Sequence, residues 1–168
     1  MKTNSNSYTI IYSAVIVVIV AFLLAFVFQG LKPQQDANVA LDKKKQILNA
    51  LNIRDLSNEM ADKTYKEVVE ADEIIDAQGR VLNAGKPGGE QAGFKLESKD
   101  YKAGRLALYV CKVNGQRKYV IPVYGMGLWG PISGYIALNE DKATVYGVYF
   151  NHESETAGLG AEIKDNAA

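Results

Sequence analysis

Four places in this 168-residue sequence combine residue types that can do chemistry. Gly125-Met126-Gly127-Leu128-Trp129-Gly130 has the G-x-G-x-x-G spacing of a dinucleotide site. That site needs a helix to open here, so that its positive end meets a pyrophosphate. Pro131 and Ile132-Ser133-Gly134-Tyr135-Ile136 instead have the pattern of a strand. Two other readings stand: a glycine-rich connection between hairpins, or a backbone bared for a flat ligand with Leu128 and Trp129 as an apolar wall. His152, Glu153 and Glu155 offer three candidate ligands, but His152 is the single histidine and a metal needs three or four converging groups. A solvated turn accounts for them better. The lone Cys111 falls within a strand-like run and reads as a small core hydrophobe. Last, Glu155-Thr156-Ala157-Gly158-Leu159-Gly160 sets one leucine between two glycines after a carboxylate and a hydroxyl, a loop able to lay backbone against an aromatic ring. No Ser-His-Asp or comparable catalytic arrangement stands out on spacing alone.

The elements that must position these residues begin with a membrane segment. No Asp, Glu, Lys or Arg occurs between Thr3 and Leu31, and from Ile10 to Phe28 every residue is Ala, Val, Ile, Leu or Phe except Tyr12 and Ser13. As a helix this stretch covers roughly 28 Å, the thickness of a bilayer's hydrocarbon. It is longer than a signal peptide's apolar region and ends without a small-x-small cleavage site, so a retained anchor is expected. Residues 1–7 form a short tail, 8–31 the transmembrane helix and 32–168 a water-facing domain. Lys2 flanks one side of the anchor, and Lys32 with Lys43 to Lys45 the other, so charge alone leaves the orientation open. The 19 basic and 19 acidic residues balance, which argues against nucleic acid as a partner.

Beyond the anchor, Lys32-Pro33 is expected to end the membrane helix, with Asp36 and Asn38 as caps for a following helix bearing Val39, Ile47, Leu48 and Leu51. A second helix is expected from Ser57 or Asn58 towards Glu70. Glu73 to Asp76 and Arg80 to Leu82 read as a short hairpin about Gln78-Gly79, and 85–93 as a loop. From Arg105 the pattern is β: strands to Val113 and from Gln116 to Tyr124 around Asn114-Gly115, then Ile132 to Leu138 and Ala143 to Phe150. Pro122 implies an edge, a bulge or a strand end. The fold class is α+β: one N-terminal transmembrane helix, then a soluble domain of two helices and antiparallel hairpins. Because the last strands have apolar faces and little chain follows, a carboxy-terminal part of the domain is expected to be missing.

Three stretches together resemble a known family. They are Gly30 to Lys44 after the anchor, Gly125 to Leu138 with its Gly-Leu-Trp centre, and His152 to Ile163. The chain resembles the C subunit of the sodium-translocating NADH:quinone reductase, within the covalent-FMN-binding domain family. The resemblance implies an anchored flavoprotein subunit in the bacterial inner membrane, with a periplasmic domain relaying electrons towards ubiquinone. It would be one part of an NADH-oxidising translocase and not a self-contained enzyme. Its implied partners are the other membrane and peripheral subunits and the lipid bilayer. By motif, Gly127, Leu128 and Trp129 would wall the isoalloxazine, and Glu155, Thr156, Gly158, Leu159 and Gly160 would form the facing loop. Two departures stand out. Ala157 replaces the family's usual proline, and no threonine lies in the Ser/Thr-Gly-Ala-Thr context to which the family attaches FMN. The sequence therefore reads as truncated, with the covalent site in an absent segment. The alternatives are the G subunit of the related ferredoxin:NAD reductase complex, against which the Gly30 to Lys44 stretch argues, and an anchored assembly subunit without flavin.

Overall fold

The structure is a computed structural model that describes residues 6–127 and 130–152. The chain divides into two units, residues 1–40 and 41–168. Helix α1 spans Asn6–Ala50. Within the first unit its apolar side chains face outward; Phe22, Leu24 and Phe26 are exposed. It is the one described helix long and apolar enough to cross a membrane. The expected break at Lys32-Pro33 does not occur, because Pro33 lies inside α1. A proline there removes one backbone hydrogen bond, to the carbonyl four residues earlier, while both flanking turns keep theirs. Asp36 and Asn38 are accordingly helix interior and cap nothing.

The second unit is built on one antiparallel sheet of six strands, ordered β2-β1-β3-β4-β5-β6. The strands are β1 (Val69–Ile75), β2 (Val81–Asn83), β3 (Leu106–Val113), β4 (Gln116–Met126), β5 (Pro131–Leu138) and β6 (Val145–His152). Asn114-Gly115 makes the two-residue turn between β3 and β4, with φ of 50° and 80°, the left-handed pair that such a turn demands. Pro122 sits where β4 has only one neighbour: pairing with β3 ends at Tyr109 opposite Val120, and beyond it β4 pairs with β5 alone. The missing N–H thus takes no hydrogen bond from the ladder.

One face of the sheet carries the core. Ala107, Tyr109 and Cys111 of β3, Val120 of β4, and Tyr135 and Ala137 of β5 are buried against Ile47 and Leu48 of α1, against Leu51 just after it, and against α2 (Asn58–Val68), which contributes Ala61 and Tyr65. Ser57 caps α2, accepting from the Met60 amide at 3.4 Å, as its position before an amphipathic run implied.

Loop 84–97 is fastened to the same side by buried polar groups. The fully buried Asp72 carboxylate accepts from the amides of Ala92 (2.6 Å) and Phe94 (3.1 Å). Lys43 donates to the Phe94 carbonyl at 2.6 Å, and Tyr65 to that of Gly89 at 2.7 Å. Buried Lys44 pairs with Asp62 at 2.5 Å and with Glu90. The anchored loop delivers a 3-10 turn (Gly93–Lys95) and a five-residue helix, α3 (Ser98–Lys102), whose amino end is a capping box between Glu97 and Asp100. Neither element was expected from the sequence.

Candidate functional site at the open end of the β4–β5 hairpin

The end of β4 leaves the body of the sheet, and Tyr124, Gly125 and Met126 are all exposed. Register places Met126 opposite Pro131, Gly125 opposite Ile132, and Val123 opposite Gly134. On the next strand, Ile132 pairs with His152 and Gly134 with Phe150. Alternation then puts Val123, Gly125, Ile132, Gly134 and Phe150 on one face. That face holds a cleft of about 240 Å³ whose lining includes Val123, Ile132 and Phe150.

Two glycines shape this cleft differently. Among the described residues nothing lies within 4 Å of where a Gly125 Cβ would stand, so that stretch of strand is bare. At Gly134 a Cβ would meet Phe150 Cδ1 at 2.7 Å, so the phenylalanine ring lies over the glycine. The result is a shallow apolar seat with a bare backbone strip beside an aromatic wall, a shape suited to one edge of a planar ring.

A second cleft, about 510 Å³, lies between α3 and β4 and is lined by Leu96, Glu97, Tyr101, Lys102 and Tyr124. The Tyr101 and Tyr124 rings sit 5.3 Å apart at 57°. Burial, with Tyr124 beside it, pushes the Tyr101 phenol well above its ordinary range, so it stays protonated at neutral pH.

Of the residues singled out from sequence, Gly127 is described: its amide donates to the Gly130 carbonyl at 2.8 Å and closes the turn between β4 and β5. Leu128, Trp129, Glu155, Thr156, Gly158, Leu159 and Gly160 lie outside the described residues. Since β5 and not a helix follows the glycines, the pyrophosphate reading of G-x-G-x-x-G has no helix end to rest on. His152 closes β6, and among the described residues no group of three or more His, Cys, Asp or Glu could hold a metal. Cys111 is buried, and burial pushes its thiol far up, which makes it inert. The cleft residues Val123, Ile132 and Phe150 were not singled out as site residues from the sequence. Their period-2 alternation was visible, but only the strand register brings them together.

A protein-family model described as FMN-binding domain matches residues 127–168, beginning at the closing turn of this hairpin. The C subunit of the Na(+)-translocating NADH-quinone reductase of Haemophilus ducreyi is 28% identical, over 95% of this chain and 68% of that protein. Its Vibrio parahaemolyticus counterpart is 28% identical over 81% of this chain and 59% of its own length. The crystal structure of the C subunit from Parabacteroides distasonis superposes with a TM-score of 0.72 at 34% identity, covering 80% of this chain and 64% of that one. The chain is similar to these C subunits along most of its length. It spans between 59% and 68% of the length of the two curated relatives. Those relatives are named as subunits of an oxidoreductase complex. The similarity reaches well beyond the FMN-binding match, since the aligned part of the H. ducreyi protein takes in nearly the whole chain. It therefore bears on the anchor and the α+β unit together.

Proposed function

We propose that this chain is the anchored, flavin-holding part of an electron-relaying subunit of a sodium-translocating NADH:quinone reductase. The observation that carries this reading is the apolar seat over Gly125 and Gly134, which adjoins the first residue of the FMN-binding match. FMN supplies the electron-transfer chemistry when bound; the protein's part is to hold the ring and set its surroundings. Val123, Ile132 and Phe150 exclude water from one side of the ring, and the open backbone at Gly125 lets the ring approach the strand. Gly127, Leu128 and Trp129, with Glu155, Thr156, Gly158, Leu159 and Gly160, are the further residues this reading assigns to the flavin. In this reading the phosphoester threonine of the Ser/Thr-Gly-Ala-Thr motif belongs to a segment that the given sequence does not contain. α1 anchors the chain in the bacterial inner membrane, the soluble unit lies in the periplasm, and the partners are the other subunits of the complex.

The test is a titration of the purified chain in detergent with FMN, followed by visible absorption. A saturable, one-to-one shift of the flavin bands is expected. Spectra identical to free FMN at saturating protein would refute the reading. Protease access in sealed, right-side-out spheroplasts checks the side of the membrane, and protection of the domain would reverse the periplasmic assignment.

A further inference from the structure

His152, the single histidine of the sequence, ends β6 and is half-buried. Its cross-strand partner is Ile132, and Phe150 precedes it by two residues on the same strand. Both line the apolar seat, and alternation along β6 puts His152 on their face. The kind of pairing brings the side chains closer still. The Gly127 amide bonds the Gly130 carbonyl, so Gly125 and Ile132, two residues further along each strand, are again a hydrogen-bonded pair. The backbone groups of Ile132 therefore point to β4. Ile132 and His152 make the other kind of pair, without backbone bonds and with about 5 Å between Cβ atoms.

The strands around His152 bring no second titratable group to this part of the face among the described residues. β4 contributes Ile121, Val123 and Gly125, β5 contributes Ile132, Gly134 and Ile136, and β6 contributes Val148 and Phe150. Ser133 and Asn151 alternate to the opposite face. A flavin ring becomes negatively charged when it is reduced, and an apolar wall offsets none of that charge. Histidine is the side chain able to change its own charge near neutral pH. We infer that His152 is the charge-compensating residue of the flavin seat, its imidazole gaining a proton when the ring is reduced and releasing it when the ring is reoxidised. For each electron pair delivered by a low-potential reductant, the ring takes up its usual proton and one further proton passes from solvent to the imidazole. No bond forms between His152 and the ring. The inference rests on the proposed flavin reading and adds to it a titratable residue which that reading leaves out.

The probe is riboflavin bound to the full chain in detergent, reduced stepwise with dithionite beside a reference dye and followed by visible absorption. Near pH 7 the wild-type chain should prefer reduced over oxidised riboflavin on the order of tenfold more than His152→Gln does, a midpoint about 30 mV higher for a two-electron couple. That difference should vanish by about pH 9, where an imidazole is neutral whichever state the ring is in. His152→Lys keeps its charge through this range and should hold the higher midpoint at both pH values. A structural role would instead weaken binding of both flavin forms alike, with no difference that depends on pH. If wild type and His152→Gln follow the same line of potential against pH, the inference is overturned and the flavin reading stands. If wild type binds no riboflavin, both fall. Thermal unfolding of each variant checks that the end of β6 is intact.

Discussion

The last carbonyl of α1, on Ala50, lies against Gly147 of β6 so closely that a Cβ on the glycine would collide with it, and with both side-chain atoms of Asn52 at 2.9 and 3.0 Å. The helix end therefore meets the sheet at bare backbone. Asn52 adopts a φ of 60° just past the helix, while the Ile53 amide reaches back to the Leu48 carbonyl at 2.9 Å, closing the helix in a Schellman-type cap. The Asn52 amide side chain then donates to the Tyr146 carbonyl at 3.1 Å.

Gly147→Ala should accordingly destabilise the soluble unit by about 1–3 kcal/mol, since a single methyl meets backbone that cannot rotate away. Urea unfolding followed by far-UV circular dichroism measures it. An unchanged midpoint would show that the helix end is free to shift.

Asp72 is buried with its carboxylate spent on the amides of loop 84–97. Asp72→Ala leaves those N–H groups unpaired and should cost about 2–4 kcal/mol, each orphaned donor losing its desolvation compensation. Hydrogen exchange localises the effect. Ala92 and Phe94 should lose protection before the β3–β4 ladder does, and uniform loss across the sheet would contradict a local clamp.

Lys43 yields a pH dependence. Burial pushes its ammonium down to about 8, against the opposing pull of Asp72. Its folded pKa lies below its unfolded one, so between those values the unfolded chain binds more protons, and stability rises with pH. The penalty for burying the charge is fully present below pH 8 and is relieved as pH climbs into the ordinary lysine range. Lys43→Met should flatten the rise in stability above pH 8, as read from unfolding midpoints across that window. A variant with the same slope as wild type would exclude Lys43 as its source.

Tyr109 is fully buried, and its hydroxyl has no hydrogen-bond partner among the described residues. Burial holds this phenol protonated. Removing an unpaired buried hydroxyl relieves a desolvation penalty, so Tyr109→Phe should be neutral or stabilising by up to about 1 kcal/mol. A loss of stability would instead reveal a bound water completing the site, and a double-mutant cycle with Tyr101→Phe would show whether that water is shared.

Local chemistry was the part of this structure that could be read from sequence. Asn114-Gly115 forces a left-handed pair, Ser57 precedes an amphipathic run, and alternation from Arg105 marks strands; each is decided within a few residues. α1 was misjudged because a proline's effect on a helix depends on what its flanking turns can sustain, which Pro33 alone does not reveal. α3 escaped because five residues carry no period, and its capping box uses Glu97 where Ser or Thr is the usual sign. The candidate site was half legible. Gly127 announced the turn, whereas Val123, Gly125, Ile132 and Phe150 come from three strands and converge through register alone.

Gly125 offers the sharpest separation of site from scaffold. Among the described residues no atom lies within 4 Å of where its Cβ would stand. Its backbone is ordinary strand, and a β-former adds no strain. Gly125→Leu should therefore leave stability within about 0.5 kcal/mol of wild type, as for a surface substitution away from packed features. The same side chain fills the strip against which a flat ring would lie, so flavin affinity should fall by at least tenfold. Gly134→Ala is the contrasting variant: its methyl would strike Phe150, so stability and binding should fall together. FMN titration alongside urea unfolding of the two variants distinguishes the cases. Undiminished flavin binding by Gly125→Leu would move the ring off this face of β4, leaving the Tyr101–Tyr124 cleft as the place to look next.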